Sequence, residues 1–176
     1  MMQKSRWVAV LAMLVLSATG AGRADEGGHA TFRGLIDDVT IANAGSWNVS
    51  GTWSLTTRGR GKGNFLAVLT MERSDYWLLT TPGADPNNLA TRNAHTHHVS
   101  VTDGTITPIT GGFRLTGAAI VTGNGGVAPF GTSNSVQVDV IGGTIVEFSN
   151  VKVTFGGDAA THFGTLPLSG SVKSWR

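Results

Sequence analysis

Apolar and polar residues alternate one by one through segment after segment of this 176-residue chain, and glycines, singly or in pairs, interrupt the alternation. Successive side chains of a β-strand point to opposite faces, so this period of two is that of a strand with one buried face. It is clearest in Trp47-Asn48-Val49-Ser50-Gly51-Thr52-Trp53-Ser54-Leu55, in Val99-Ser100-Val101-Thr102 and in Val136-Gln137-Val138-Asp139-Val140. Further runs at Phe65–Leu69, Tyr76–Thr80, Thr105–Thr107, Phe113–Val121, Thr144–Phe148, Val151–Phe155 and Leu166–Val172 read as strands as well. Asp103-Gly104 and Gly142-Gly143 fall between such runs and are expected to supply the positive φ angles of two-residue hairpin turns. No segment after the leader shows a capped apolar period of 3.6. The expectation is an all-β fold: a single antiparallel β-barrel or β-sandwich of about 8–10 short strands.

Lys4 and Arg6 precede an apolar run from Trp7 to Leu16, and small residues then lead to Gly22-Arg23-Ala24. This order matches a secretory signal peptide over residues 1–24, which leaves one domain, 25–176, bound for a periplasm or the external medium. The run is shorter than the roughly 20 residues of a membrane-spanning helix. The chain contains no cysteine, so neither a lipidated cysteine nor a disulfide is available, and packing alone must hold the fold. Ten of the thirteen basic residues remain after the leader against eleven acidic ones, a net charge of −1. That balance gives no argument for nucleic acid as a partner.

Three of the five histidines stand together in His95-Thr96-His97-His98 at the head of an alternating run. Alternation places His95 and His97 with Val99 and Val101, on the face expected to be interior, and sets His98 with Ser100 and Thr102 on the other. Residues i and i+2 of a strand lie about 6.5–7 Å apart, close enough for both rings to turn toward one ion at about 2.0–2.1 Å. His162, in the loop expected after the strand Val151–Phe155, is the best candidate for a third ligand. The commoner occupation of such a pair is a half-exposed strand rim, and both readings stand at this point. The implied cofactor is a divalent metal such as zinc or copper, and none on the rim reading.

His95-Thr96-His97 resembles the first half of a cupin motif. Asp103, six residues on, stands where no strand glutamate is supplied, so the resemblance implies no further ligand. Gly45-Ser46-Trp47 and Gly51-Thr52-Trp53 resemble the lipocalin Gly-x-Trp tripeptide, with Ser74-Asp75-Tyr76 faintly like a second lipocalin element. Their separation is too short for that family, and no residue role is carried over.

Trp47, Trp53 and Trp77 are candidate ligand-binding residues that would stack on a sugar or close a cavity mouth, with core burial as the alternative. Arg58, Arg60 and Lys62 read as a charged hairpin tip or an anion contact. Asp37-Asp38 would need a loop for its two carboxylates to converge on calcium. The chain has no Gly-x-Ser-x-Gly elbow, no His-Glu-x-x-His pair and no phosphate loop, and nothing pairs Ser133 or Ser135 with a histidine. The favoured expectation is therefore an exported, non-enzymatic binding protein for a small molecule or glycan, with an enclosed apolar cavity of about 300 Å³ or more. A metal-dependent enzyme on a cupin-like barrel, with His95, His97 and His162 as ligands, is the alternative. A structural envelope protein is the third.

Overall fold

Strand alternation builds a closed antiparallel barrel rather than a sandwich. The computed structural model describes residues 29–42, 45–74, 93–124, 130–142 and 148–176. Its elements are β1 (Thr31–Ala42), β2 (Gly45–Arg58), β3 (Lys62–Arg73), β4 (His95–Ile109), β5 (Gly112–Ala118), β6 (Ile120–Thr122), β7 (Asn134–Gly142), β8 (Phe148–Gly157), α1 (Asp158–Phe163) and β9 (Leu168–Trp175). The 1–24 leader, the runs Tyr76–Thr80 and Thr144–Glu147, and Trp77 lie outside the described residues.

With β5 and β6 taken as one strand, each strand pairs with its sequence neighbour, and β9 pairs back onto β1, so the meander closes on itself. β5 and β6 both pair with β4, at Thr105–Ile109 and His98–Ser100 respectively, and form one strand interrupted at Ala119. Counted that way the barrel has eight strands. The order is up-and-down, unlike the double-sheet jelly roll of a cupin. Closure leaves no long free edge, which solves the edge-strand problem without covering elements.

The interior is packed with side chains. Leu55, Phe65, Leu69, Leu115, Val138 and Val153 are all at most 1% exposed. His97, Val99 and Val101 point inward, while His98 and Thr102 face solvent, as the alternation requires. Inward apolar and outward mostly polar faces are the inverse of a transmembrane barrel's arrangement. Among the described residues no helix is long and apolar enough to cross a membrane.

Several expectations need correction. Asp103-Gly104 is not a hairpin turn but lies within β4, whose turn comes later, at Thr110-Gly111. Asp103 has φ 54°, and the register with β3 shifts by one residue across it. The positive φ that suggested a turn instead makes a β-bulge, steadied by Asn64 Oδ1, which accepts from the Asp103 N–H at 3.0 Å. The run Phe113–Val121 is broken at Ala119, and the last strand begins at Leu168 rather than Leu166. β1 carried no strand expectation at all. Its inward face carries the core residues Phe32 and Ile36 beside Gly34, Thr40 and Ala42, while its outward Leu35, Val39 and Ile41 are 43–80% exposed, so apolar residues stand on both faces and no clean alternation marks the strand. A helix, α1, stands where a loop was expected; six residues are too few to show a 3.6 period.

The strand directions bring the C-terminal ends of β1, β3, β6 and β8 and the N-terminal ends of β2, β4, β7 and β9 to one end of the barrel. α1 crosses that end between β8 and β9. Gly157 (φ 68°) and Gly164 (φ 86°) flank it, supplying left-handed turns that fold so short a helix back over the opening.

Candidate metal centre

Two histidines come from one strand and the third from the helix. His95 and His97 project inward from the start of β4. On α1, Ala159, His162 and Phe163 stand at i, i+3 and i+4, the spacing of one helix face, and that face turns into the barrel with Ala159 and Phe163 fully buried.

Both ends of α1 are tied to the wall. At its start the Ala159 N–H donates to Asn134 Oδ1 of β7 at 2.8 Å, and Asn134 Nδ2 donates to the Gly131 carbonyl at 2.6 Å. At its end the buried Thr40 hydroxyl of β1 donates to the Phe163 carbonyl at 2.7 Å. The Phe163 ring stacks on Phe155 of β8 with centroids 4.1 Å apart. These contacts fix the height and rotation at which His162 enters.

The three rings converge through one nitrogen each. His162 Nε2 lies 3.0 Å from His95 Nε2 and 2.9 Å from His97 Nε2. One donor atom from each residue falls within 4.8 Å of the other two, and no carboxylate joins the cluster among the described residues. Imidazole nitrogens around a tetrahedral ion at about 2.0–2.1 Å are separated by about 3.3–3.4 Å, so both contacts of His162 must open by a few tenths of an ångström to admit one.

Tautomers sharpen the argument. His95 Nδ1 lies 2.7 Å from the Asn93 carbonyl, which can only accept, so Nδ1 carries a proton and, in the neutral tautomer, the Nε2 lone pair faces His162. A backbone carbonyl holding the far nitrogen is the usual support of a metal-ligating imidazole. His97 Nδ1 is buried without a well-formed hydrogen bond among the described residues. The Thr122 carbonyl acts on this ring and favours its protonated form. His162 Nε2 thus faces two other ring nitrogens and has one proton or one lone pair to offer both. A cation among three lone pairs satisfies all three at once.

Electrostatics favours lone pairs over protons here. Burial, then the neighbouring His162 and His95, lower the His97 pKa to about 4. Burial and then His95 lower that of His162 to about 4 as well. Both rings are neutral at pH 7, the form that binds metal.

Aromatic rings wall the cluster. Trp47 meets His95 edge-on at 5.6 Å, its indole N–H donating to the Ala42 carbonyl at 2.9 Å, and the Arg73 guanidinium sits 5.2 Å from its ring. Phe130 lies 5.8 Å from His97 and 5.1 Å from His162, and Phe163 lies 5.1 Å from His97.

The structure therefore unites His95, His97 and His162. Trp47, 4% exposed, belongs to the wall of the histidine cluster, and Trp53, 3% exposed, is in the core against Phe65, so neither offers a ring face to a sugar. Arg58 and Lys62 stand at a hairpin tip, bonded to Asp103 (3.2 Å) and Thr105 (3.3 Å) across the β3–β4 end. Asp38 ties β1 to β9, accepting from the Ser169 N–H at 2.6 Å. Two grooves of about 550 and 310 Å³ lie on the outer face of the barrel; Leu35, Leu66 and Val68 line the larger. Sequence reasoning passed over Phe130, Phe163, Thr40 and Asn134. Phe163 had a signal, its place beside His162; Thr40 and Asn134 had none, because their partners lie 123 and 25 residues away. No protein-family model, curated protein or solved structure matches this chain.

Proposed function

We propose that this is an exported protein that binds a transition-metal ion through His95, His97 and His162. The observation that carries the reading is the convergence of three Nε2 atoms, with His162 within 3.0 Å of both strand histidines. An all-imidazole donor set suits zinc, copper, nickel or iron and is poor for calcium or magnesium, which take oxygen ligands. Small-molecule binding enters this reading as binding at the ion, by a ligand that completes its coordination. An enzymatic version would use the same three ligands with water in the fourth position. It draws support from the partial exposure of His95 and His162, which gives the cluster a side toward solvent.

The test is metal content and Co(II) titration of the purified protein beside His95→Ala, His97→Ala and His162→Ala. One equivalent of metal is expected in the parent, with intense visible Co(II) bands of low coordination number, weakened in every variant. Negligible and equal binding by all four proteins refutes the proposal.

A further inference from the structure

Directly across the β3–β4 ladder from His95 stands Met71. Residues opposite each other in an antiparallel pair have β carbons about 4.5–5.5 Å apart on the same face of the sheet. That face is the interior, and Met71 is completely buried there. On its other side Met71 opposes Val49, and the next residue inward along β3, Leu69, opposes His97. Met71 is therefore the thioether in the same cross-strand row as the first ligand. Its three rotatable bonds let the sulfur reach positions a branched side chain cannot.

Charge gives a second, independent argument. The cluster contributes three imidazoles, which bring no charge of their own to a metal, and no carboxylate among the described residues, and its walls are Trp47, Phe130 and Phe163. The cost of moving an ion out of water into such surroundings grows with the square of its charge, so a dication pays about four times what a monocation does. A neutral, aromatic-walled nitrogen site with a thioether beside it is matched to a soft monovalent ion. Thioether and imidazole together select copper in its reduced state.

Resting on the three-histidine reading above, we propose that the physiological ion is Cu(I), with the Met71 sulfur as its fourth ligand. The ligands are then two side chains of β4, one of α1 and one of β3, and the thioether sets copper apart from zinc.

The experiment measures Cu(I) affinity under anaerobic conditions by competition with a chromophoric Cu(I) chelator. Zn(II) affinity is measured by the equivalent competition, on the parent protein and on Met71→Leu. Leucine keeps volume and apolarity and removes only the sulfur. The expected result is tighter binding of Cu(I) than of Zn(II) by the parent. In Met71→Leu, Cu(I) affinity falls at least about tenfold, no less than loss of an outer-shell partner costs, and Zn(II) affinity stays within about threefold. X-ray absorption of the Cu(I)-loaded parent shows a sulfur scatterer that Met71→Leu lacks. Unchanged Cu(I) affinity in Met71→Leu, an equal fall for both metals, absence of a sulfur scatterer, or a parent that prefers Zn(II) overturns the copper assignment while leaving the three-histidine site standing. A parent that binds neither ion overturns both.

Discussion

Replacing Thr40 by valine tests whether α1 delivers His162 to the site. The Thr40 hydroxyl is buried and donates to the Phe163 carbonyl at 2.7 Å, one residue beyond His162. Valine reproduces the shape, so the cost is that of a buried carbonyl left without its donor, about 1–3 kcal/mol. For a domain of about 150 residues each kcal/mol lowers Tm by about 2–4 °C, so a fall of about 2–12 °C is expected by calorimetry. The end of α1 loses a tether at the same time. Loss of groups that orient a metal ligand from behind costs about 10–100-fold in affinity, and about tenfold is expected for Co(II) in Thr40→Val. Thr40→Ser, which keeps the hydroxyl, restores most of it. The discriminating measurement is the same substitution in a His162→Ala background, where the tether has no ligand left to hold and affinity should not fall further. An equal fall in both backgrounds, or no fall in either, refutes the role assigned to α1.

Three further outcomes follow from the same structure. His97 and His162 have folded-state pKa values near 4 against 6.5 for an ordinary histidine. The unfolded chain therefore binds more protons between those values, so stability is complete above about pH 6.5 and is lost as pH falls toward 4. The slope is at most about 1.4 kcal/mol per pH unit for each proton, less for the half-exposed His162. Urea unfolding of metal-free protein at pH 7, 5.5 and 4.5 should show this loss, and a His97→Asn/His162→Asn variant should lose less; parallel curves refute it. Asp103→Val forces a β-branched residue into φ 54° and should cost about 1–3 kcal/mol. Asp103→Gly should be nearly neutral, since it relieves the backbone while losing only an exposed pair with Arg58; a tolerated valine would argue against the bulge. Gly164→Ala would put a Cβ onto Thr40 Oγ1 at φ 86°, and should lower both Tm and Co(II) affinity; a fully native variant would show that α1 has room to move.

Alternation alone assigned the faces of β4, because Val99 and Val101 mark the apolar, inward face and His97 falls in phase with them. The same rule is silent on β1, where apolar residues stand on both faces, Phe32 and Ile36 inward and Leu35, Val39 and Ile41 outward. Asp103-Gly104 misled for a physical reason: a hairpin turn and a bulge make the same demand for positive φ, and only pairing on both flanks separates them. Of the candidate site, the residue types and the β4 pair were legible. What brought His162 to them was not, since it depends on strand order, on closure between β9 and β1, and on tethers with no local trace. Trp47 and Trp53 were ambiguous, because an aromatic in a strand reads alike whether it faces a ligand or the core.

The convergence of His97 and His162 joins positions 65 residues apart, in a chain without a cysteine. In the unfolded chain a fixed link between them would remove loop-closure entropy of about 4 kcal/mol. An ion bound there would act as a staple that can be withdrawn. It would fasten the first half of the meander to the helix that precedes the closing strand, and with the ion removed the same chain would rely on packing alone. Resistance to unfolding would then depend on how much metal the surroundings supply, rising with the logarithm of free ion concentration.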